Sequence, residues 1–294
     1  MTPSPSPLQR VVAVPHLPPR PRDGHKGTFG KVLLVAGSQG MSGAAILAGT
    51  AALRGGAGLV QVAVPAPIGP IVAGGHPCYM TLWLPADAQG RLDSTALPLL
   101  LEAAQAASAV LIGPGLGATP EVGALVRGLA EQVPQPLLLD ADALNSLGPH
   151  PDLLGRRPGP TVLTPHPGEF ARLIGADTRA VQADREVLAT AFARRHNVVL
   201  ILKGAGTIVC DPGSSYVNTT GNPGMGTGGT GDVLSGLVGA LLAQGLAALE
   251  AAILGVYLHG LAGDLAATEF GETSLVASDL LTFLPAAFQR HAAD

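Results

Sequence analysis

The chain has 294 residues, 47% of them apolar, 13% charged and 3% aromatic, with 40 glycines, 26 prolines and a formal net charge of −4. That is enough apolar material for one large domain or two small ones, and the weak acidity, with no Lys/Arg block, excludes a phosphate polymer or an anionic bilayer as the natural partner. Two cysteines, Cys78 and Cys210, make neither a disulfide framework nor a zinc spacing, which points to a reduced, intracellular setting.

Residues 1 to about 24 carry seven prolines, which deny the backbone its donors and helical geometry, so a flexible arm is expected there. The start lacks the basic-then-apolar pattern of a secretory signal, and a cytoplasmic protein is expected. The uncharged stretch from Val32 to Leu53 is long enough to cross a bilayer, but Gly37, Gly40, Gly43 and Gly49 with interspersed Ser, Gln and Thr read as strand, turn and helix. The uncharged stretch from Gly55 to Ala86 is interrupted by five prolines, so no membrane span is predicted.

From Lys31 onward, the apolar runs VLLVA, LVQVAV, AVLI, PLLL, TVLT, VVLILK and TIVC predict strands buried on both faces. Helices are predicted at about 43–54, 120–132, 178–195, 231–244, 247–268 and 277–289. This alternation, without a repeat or internal linker, predicts one α/β domain over 25–294, with a mostly parallel sheet covered by helices on both sides. Ligand chemistry is then sought at the carboxyl ends of the strands.

Within GNPGMGTGGTGDVLSG, glycines 226, 228, 229 and 231 remove the Cβ atoms that would hold a phosphate away from the backbone, and a helix N-terminus follows. Asp232 lies in that helix's first turn, where it can accept a proton from a hydroxyl held beside the phosphate, or merely cap the helix. A base beside an anion cradle is what phosphate transfer to an alcohol requires. GTGGTG also matches the dinucleotide fingerprint, but no strand precedes it, and the glycines after Val35 have the wrong spacing. A Walker loop fails because Val32 follows Lys31 and His25 stands where that loop needs glycine.

LTPHPGEF places His166 rigidly between prolines at a strand end, with Glu169 in the first turn of the next helix. LLLDADALN places Asp140 and Asp142 past another strand, as water-mediated Mg²⁺ ligands or as helix caps. In ILKGAGTIV, Lys203 opens a hairpin and can reach a phosphate, although a surface lysine is commonplace there. IGPGLG offers backbone contacts only, and HKGTFGK is a basic entry to the first strand. The charges of segments 178–195 and 247–268 read as solvated faces without a site.

Taken in order, HKGTFGKVLLVAGSQGMSGAA, GPGLG, LDADALN, LTPHPGEF, LKGAGT and GTGGTGDVLSG resemble the ADP- or ATP-dependent (S)-NAD(P)H-hydrate dehydratases of the ribokinase-like superfamily. The resemblance implies a three-layer α/β/α fold and a lyase that repairs nicotinamide cofactors hydrated across the C5–C6 bond. It implies that Asp232 deprotonates the C6 hydroxyl while Gly229, Thr230 and Gly231 hold the developing charge. Ala44, Gly115, His166 and Asp232 match hydrate-contacting positions, and Lys203, Gly204, Ala205, Gly206, Thr207 and Gly231 match nucleotide-contacting ones. It further implies Mg²⁺ on the nucleotide phosphates, with Asp140, Asp142 and Glu169 as candidate ligands, and ADP ahead of ATP as phosphate donor. A homotetramer is implied as well. The short arm implies no epimerase activity of its own, leaving that step to a separate protein. The rival readings are a ribokinase-like kinase of a small alcohol or vitamin precursor, a nicotinamide-dependent oxidoreductase, and a non-catalytic nucleotide sensor.

Overall fold

Along Lys31–Val35, successive residues point to opposite faces and both faces are apolar: Val32 and Leu34 enter one core, Leu33 and Val35 the other. The same division recurs at Leu111 against Val110 and Ile112, and at Ile201 against Leu200 and Leu202. A sheet sealed on both sides is the only home for such strands. The computed structural model, which describes residues 8–148 and 150–293, has that arrangement.

The strands are β1 (Gln9–Arg10), β2 (Lys31–Val35), β3 (Leu59–Pro65), β4 (Met80–Leu84), β5 (Ala109–Ile112), β6 (Leu137–Leu139), β7 (Thr161–Leu163), β8 (Val199–Leu202), β9 (Ile208–Cys210) and β10 (Ser214–Val217). Their spatial order is β1-β10-β9-β8-β7-β6-β5-β2-β3-β4. From β8 to β4 every pairing is parallel; β9 is antiparallel to both β8 and β10. The expected mostly parallel sheet is therefore found.

The helices are α1 (Ser42–Arg54), α2 (Gly69–Gly75), α3 (Leu97–Gln105), α4 (Pro120–Gln132), α5 (Asp142–Leu147), α6 (Pro167–Ile174), α7 (Thr178–Ala183), α8 (Arg185–His196), α9 (Thr230–Ala243), α10 (Ala248–Phe270) and α11 (Ala277–Ala293). Helices α1, α9, α10 and α11 share one core with one sheet face, and α3 to α8 share a second core with the other. The helix predicted over 178–195 is two, because Asp184 takes a non-helical conformation (φ −133°, ψ 42°) between α7 and α8. Helix α10 is long and apolar enough to cross a membrane, but 67% of its most apolar window is buried inside the fold.

The described part of the arm differs from the expectation of flexibility. Gln9–Arg10 pairs in parallel with β10, Val11, Val14 and Leu17 pack against the first core, and His16 stacks on His291 with centroids 4.2 Å apart. Arg20 caps the carbonyl of Gly56 and lies 4.0 Å over the Phe29 ring. Prolines prevent helix but leave extended chain free to add to a sheet edge. Residues 1–7 of the expected arm lie outside the described residues.

Candidate active site

The chain leaves β2 toward β3 on one side, and β5 returns to pair with β2 on the other, so the strand order reverses between β2 and β5. In open parallel sheets ligands bind outside the carboxyl ends of the strands at this reversal. Here the loops after β2 and β5 are laced together: Gly37 N–H donates to Pro114 O (2.7 Å), and Ser38 Oγ to Gly115 O (2.8 Å). Gly115 has φ +66°, and a Cβ on it would stand 3.0 Å from Ala44 Cβ. The sequence-predicted pair Ala44 and Gly115 is thereby brought into contact.

Along the same edge, β6, β7 and β8 end in Asp140, the Thr164–His166 segment and Lys203. Parallel register holds these together: Thr164 N–H donates to Leu139 O and Lys203 N–H to Pro165 O. Asp140 is 1% exposed, its Oδ1 accepting from Lys203 Nζ (3.0 Å) and its Oδ2 from Ser235 Oγ (2.8 Å). Ala141 adopts φ +49°, ψ −118°, a costly conformation for a residue with a Cβ, and it lets neighbouring carboxylates face different ways. Asp142 thus accepts from Gly117 N–H (2.8 Å), 25 residues upstream.

His166 is the N-cap of α6. Its Nδ1 accepts from the Gly168 and Glu169 N–H groups (3.0 and 3.2 Å), which assigns the ring proton to Nε2, and Glu169 Oε2 accepts from His166 N–H (2.8 Å). This reciprocal cap leaves the imidazole half exposed at the strand end and buries Glu169. Lys203 Nζ lies 3.9 Å from Glu169 Oε2. Although expected at a hairpin surface, this lysine is only 20% exposed. Burial disfavours its ammonium, but Asp140, Glu169 and Asp232 outweigh that and raise its pKa above the usual lysine value.

The N-terminus of α9 arrives at this cluster because small residues let helices approach closely. A Cβ on Gly236 would meet Ala48 O of α1 at 2.1 Å. Gly229, the N-cap, has φ +95°, and a Cβ there would strike Leu47 and Ala277. A Cβ on Gly231 would stand 3.4 Å from Lys203 Nζ, so the predicted cradle and the predicted lysine face one space. Burial, followed by the negative charge of Asp140, pushes Asp232 up to about 7 against the pull of Lys203, while Asp142 adds to the rise. A carboxylate poised there can take a proton at neutral pH.

Sequence reasoning missed four residues that fix this geometry. Ser235 ties α9 to Asp140. On α10, His259 Nε2 donates to Thr230 O (2.8 Å), and Asp264 accepts from Gly221 N–H (2.9 Å) and Asn222 Nδ2 (3.0 Å). Burial pushes His259 down to about 4, consistent with a neutral donor. Arg185 of α8 bonds the turn after β8. His259 and Asp264 within the apolar stretch 251–267 were the available signal on α10; nothing local marked Arg185.

Of the three candidate metal ligands, Asp140 has both oxygens engaged and Glu169 is held by the α6 cap. Asp142 keeps one oxygen whose nearest donor, Asn145 Nδ2, is 3.5 Å away. Among the described residues no group of three or more His, Cys, Asp or Glu side chains is arranged to hold a metal. This donor set fits a cation carried chiefly by ligand phosphates and water, with Asp142 as the available protein oxygen.

The sequence profile of the NAD(P)H-hydrate dehydratases matches residues 32–286. The chain is 48% identical to the bifunctional NAD(P)H-hydrate repair enzyme Nnr of Moorella thermoacetica, covering 92% of this chain and 51% of that protein. It is 40% identical to the ADP-dependent (S)-NAD(P)H-hydrate dehydratase of Xanthomonas campestris, covering 91% of each. The chain thus spans about half the length of the bifunctional relatives it matches. Among solved structures, the ADP/ATP-dependent NAD(P)H-hydrate dehydratase from Bacillus subtilis, co-crystallised with ATP/Mg²⁺, superposes with a TM-score of 0.80 at 34% identity over 94% of both chains. A ribokinase-like sheet with a poised carboxylate at the start of α9, matched along nearly its whole length in sequence and in fold, places this chain in the NAD(P)H-hydrate dehydratase family.

Proposed function

We propose that the chain dehydrates the S-epimer of NADH or NADPH hydrate at the expense of a nucleotide phosphate, with ADP converted to AMP in preference to ATP converted to ADP. The observation that carries this reading is Asp232, poised near neutrality at the N-terminus of α9 with Lys203 across the same space. Family membership supports the substrate class, and the Xanthomonas relative's ADP dependence supports the donor.

Hydroxide is a poor leaving group and phosphate a good one, so a phosphoryl transfer makes the dehydration feasible. Asp232 takes the proton of the C6 hydroxyl as its oxygen bonds to the terminal phosphorus and the bond to the departing nucleotide breaks. The amides of Gly229, Thr230 and Gly231, at the positive end of α9, stabilise the charge on the transferring group. Elimination then breaks the C6–O bond, with the departing phosphate taking the proton lost from C5, and restores the ring double bond. The turn Lys203–Thr207 holds the nucleotide, and Ala44, Gly115 and His166 hold the hydrate. Asp142 would offer the protein oxygen for Mg²⁺, which would neutralise charge on the nucleotide phosphates. A homotetramer acting in the cytoplasm belongs to the same reading.

The test mixes the purified chain with the S-epimer of NADH hydrate, Mg²⁺ and either ADP or ATP, and follows the return of reduced-nicotinamide absorbance. Recovery that requires nucleotide and is lost in Asp232→Asn is expected. A folded protein that gives no recovery with either nucleotide would refute the dehydratase reading and favour phosphorylation of another small alcohol by the same base and cradle.

A further inference from the structure

The turn between β8 and β9 contains two glycines in the left-handed region, Gly204 (φ +134°) and Gly206 (φ +59°), and residues 204–206 are exposed. Such a turn, left to itself, samples many conformations. One side chain from elsewhere in the chain spans it. Arg185, the first residue of α8, donates from Nη1 to Ala205 O (2.6 Å) and from Nη2 to Leu202 O (3.0 Å) and Lys203 O (3.1 Å). All three acceptors are main-chain carbonyls, Nε is buried without a partner among the described residues, and burial lowers the guanidinium's pKa. A half-buried cation whose side-chain bonds all go to one turn is placed there for the turn's sake.

We infer that Arg185 is the positioning residue of the nucleotide site: by holding the carbonyls of Lys203 and Ala205 it turns the Gly204 and Gly206 N–H groups to the opposite face, as donors for an anionic nucleotide. The physical link is the trans peptide, whose C=O and N–H point in opposite directions. Fixing two carbonyls against the planar guanidinium therefore fixes the next two amides away from α8. Thr207 Oγ1, donating to Gly204 O (2.9 Å), closes the turn further. Glycine at 204 suits the turn because its φ is +134° and a Cβ there would stand 3.0 Å from Arg185 Nη2. The inference rests on the reading of residues 203–207 as the nucleotide contact, and it adds a residue from another element to it.

The experiment compares the wild type with Arg185→Ala and Arg185→Lys in three measurements: ADP and ATP affinity by calorimetry, KM for nucleotide against KM for hydrate, and amide hydrogen exchange at residues 204 and 206. Expected are a tenfold or greater loss of nucleotide affinity in Arg185→Ala, a smaller loss in Arg185→Lys, and a hydrate KM within twofold of wild type. Millimolar guanidinium should restore part of the affinity to Arg185→Ala only. Nucleotide should protect the two amides in the wild type, a measurement that does not depend on any variant folding. A folded Arg185→Ala protein with unchanged nucleotide affinity, or wild-type amides left unprotected by bound nucleotide, would overturn the assignment. A wild type that binds neither nucleotide would instead refute the nucleotide reading of the turn, and this inference with it.

Discussion

Lys203 Nζ lies 3.0 Å from Asp140 Oδ1, although 63 residues separate them in the chain. Both residues follow the last residue of a parallel strand, with β7 between them, so the sheet delivers them to the same edge. The pair has a third member in Ser235, which connects it to the helix that carries Asp232. One buried carboxylate therefore sets the position of the lysine, the position of α9 and part of the proton affinity of Asp232.

Breaking that pair should be costly. Asp140→Ala leaves the Lys203 ammonium without its closest counter-charge, and a loss of about 3 kcal/mol is expected. Ser235→Ala should cost only about 1 kcal/mol. Urea denaturation of a double-mutant cycle over Asp140→Ala and Lys203→Met should show that the double variant loses less than the sum of the singles. Additive losses would mean that the two side chains do not interact appreciably.

The base should titrate near neutrality. With Asp232 pushed up to about 7, the acid limb of kcat/KM for the proposed dehydration should bend near that pH, with activity falling as Asp232 is protonated. A limb that bends near pH 4 would show a carboxyl unaffected by its burial. The measurement is the rate of absorbance recovery across pH 5 to 9 at fixed nucleotide.

The same shift makes a stability prediction of opposite sense. A carboxyl raised in the folded state contributes stability at low pH, and this is lost as pH rises from its unfolded value of 3.8 through about 7. Asp232→Asn should therefore abolish turnover yet gain about 3 kcal/mol at pH 8, with the gain shrinking through pH 5 and vanishing near pH 4. Thermal unfolding of both proteins at the three pH values checks it.

Two glycines of the α9 region should respond differently to alanine. At Gly236 the new Cβ would meet Ala48 O at 2.1 Å, and backbone cannot swing aside, so α1 and α9 must separate at a cost of about 3 kcal/mol. At Gly228 nothing lies within 4 Å, and stability should stay within about 0.5 kcal/mol of wild type while nucleotide KM rises. Equal effects at the two positions would dismiss the phosphate role of the loop.

His166 combines a cap with its proposed hydrate contact, and two substitutions separate them. His166→Ala should lose about 1 kcal/mol of stability and raise hydrate KM. His166→Asn should restore the cap, because Asn is a favoured N-cap residue, but not hydrate binding. Chemical denaturation and hydrate KM are the two readouts.

The layered fold was legible in the chain because two-faced apolar strands and helical segments are local patterns: VLLVA, AVLI and VVLILK became β2, β5 and β8, and the segments near 43–54 and 120–132 became α1 and α4. Strand β4 escaped notice because its edge position leaves Met80 and Trp83 exposed, which blurs the buried-strand pattern. The docking of Gln9–Arg10 escaped because proline content describes local stiffness and says nothing about a sheet edge 205 residues away.

For the site, the chemical inventory is written in the chain: a glycine-lined helix start with Asp232, His166 between prolines, the aspartates 140 and 142, and Lys203 before a glycine turn. Such signals survive in sequence because each depends on neighbours within a few residues. Which of these groups share a space, and in what state, follows from packing. Parallel strands brought Asp140 to Lys203, close packing of α1 on α9 aimed Asp232 at them, and burial beside Asp140 raised its proton affinity. Arg185, His259 and Asp264 act through hydrogen bonds spanning 17 to 43 residues of sequence, and electrostatic burial depends on all the elements packed around a group, so neither could be read from the chain alone.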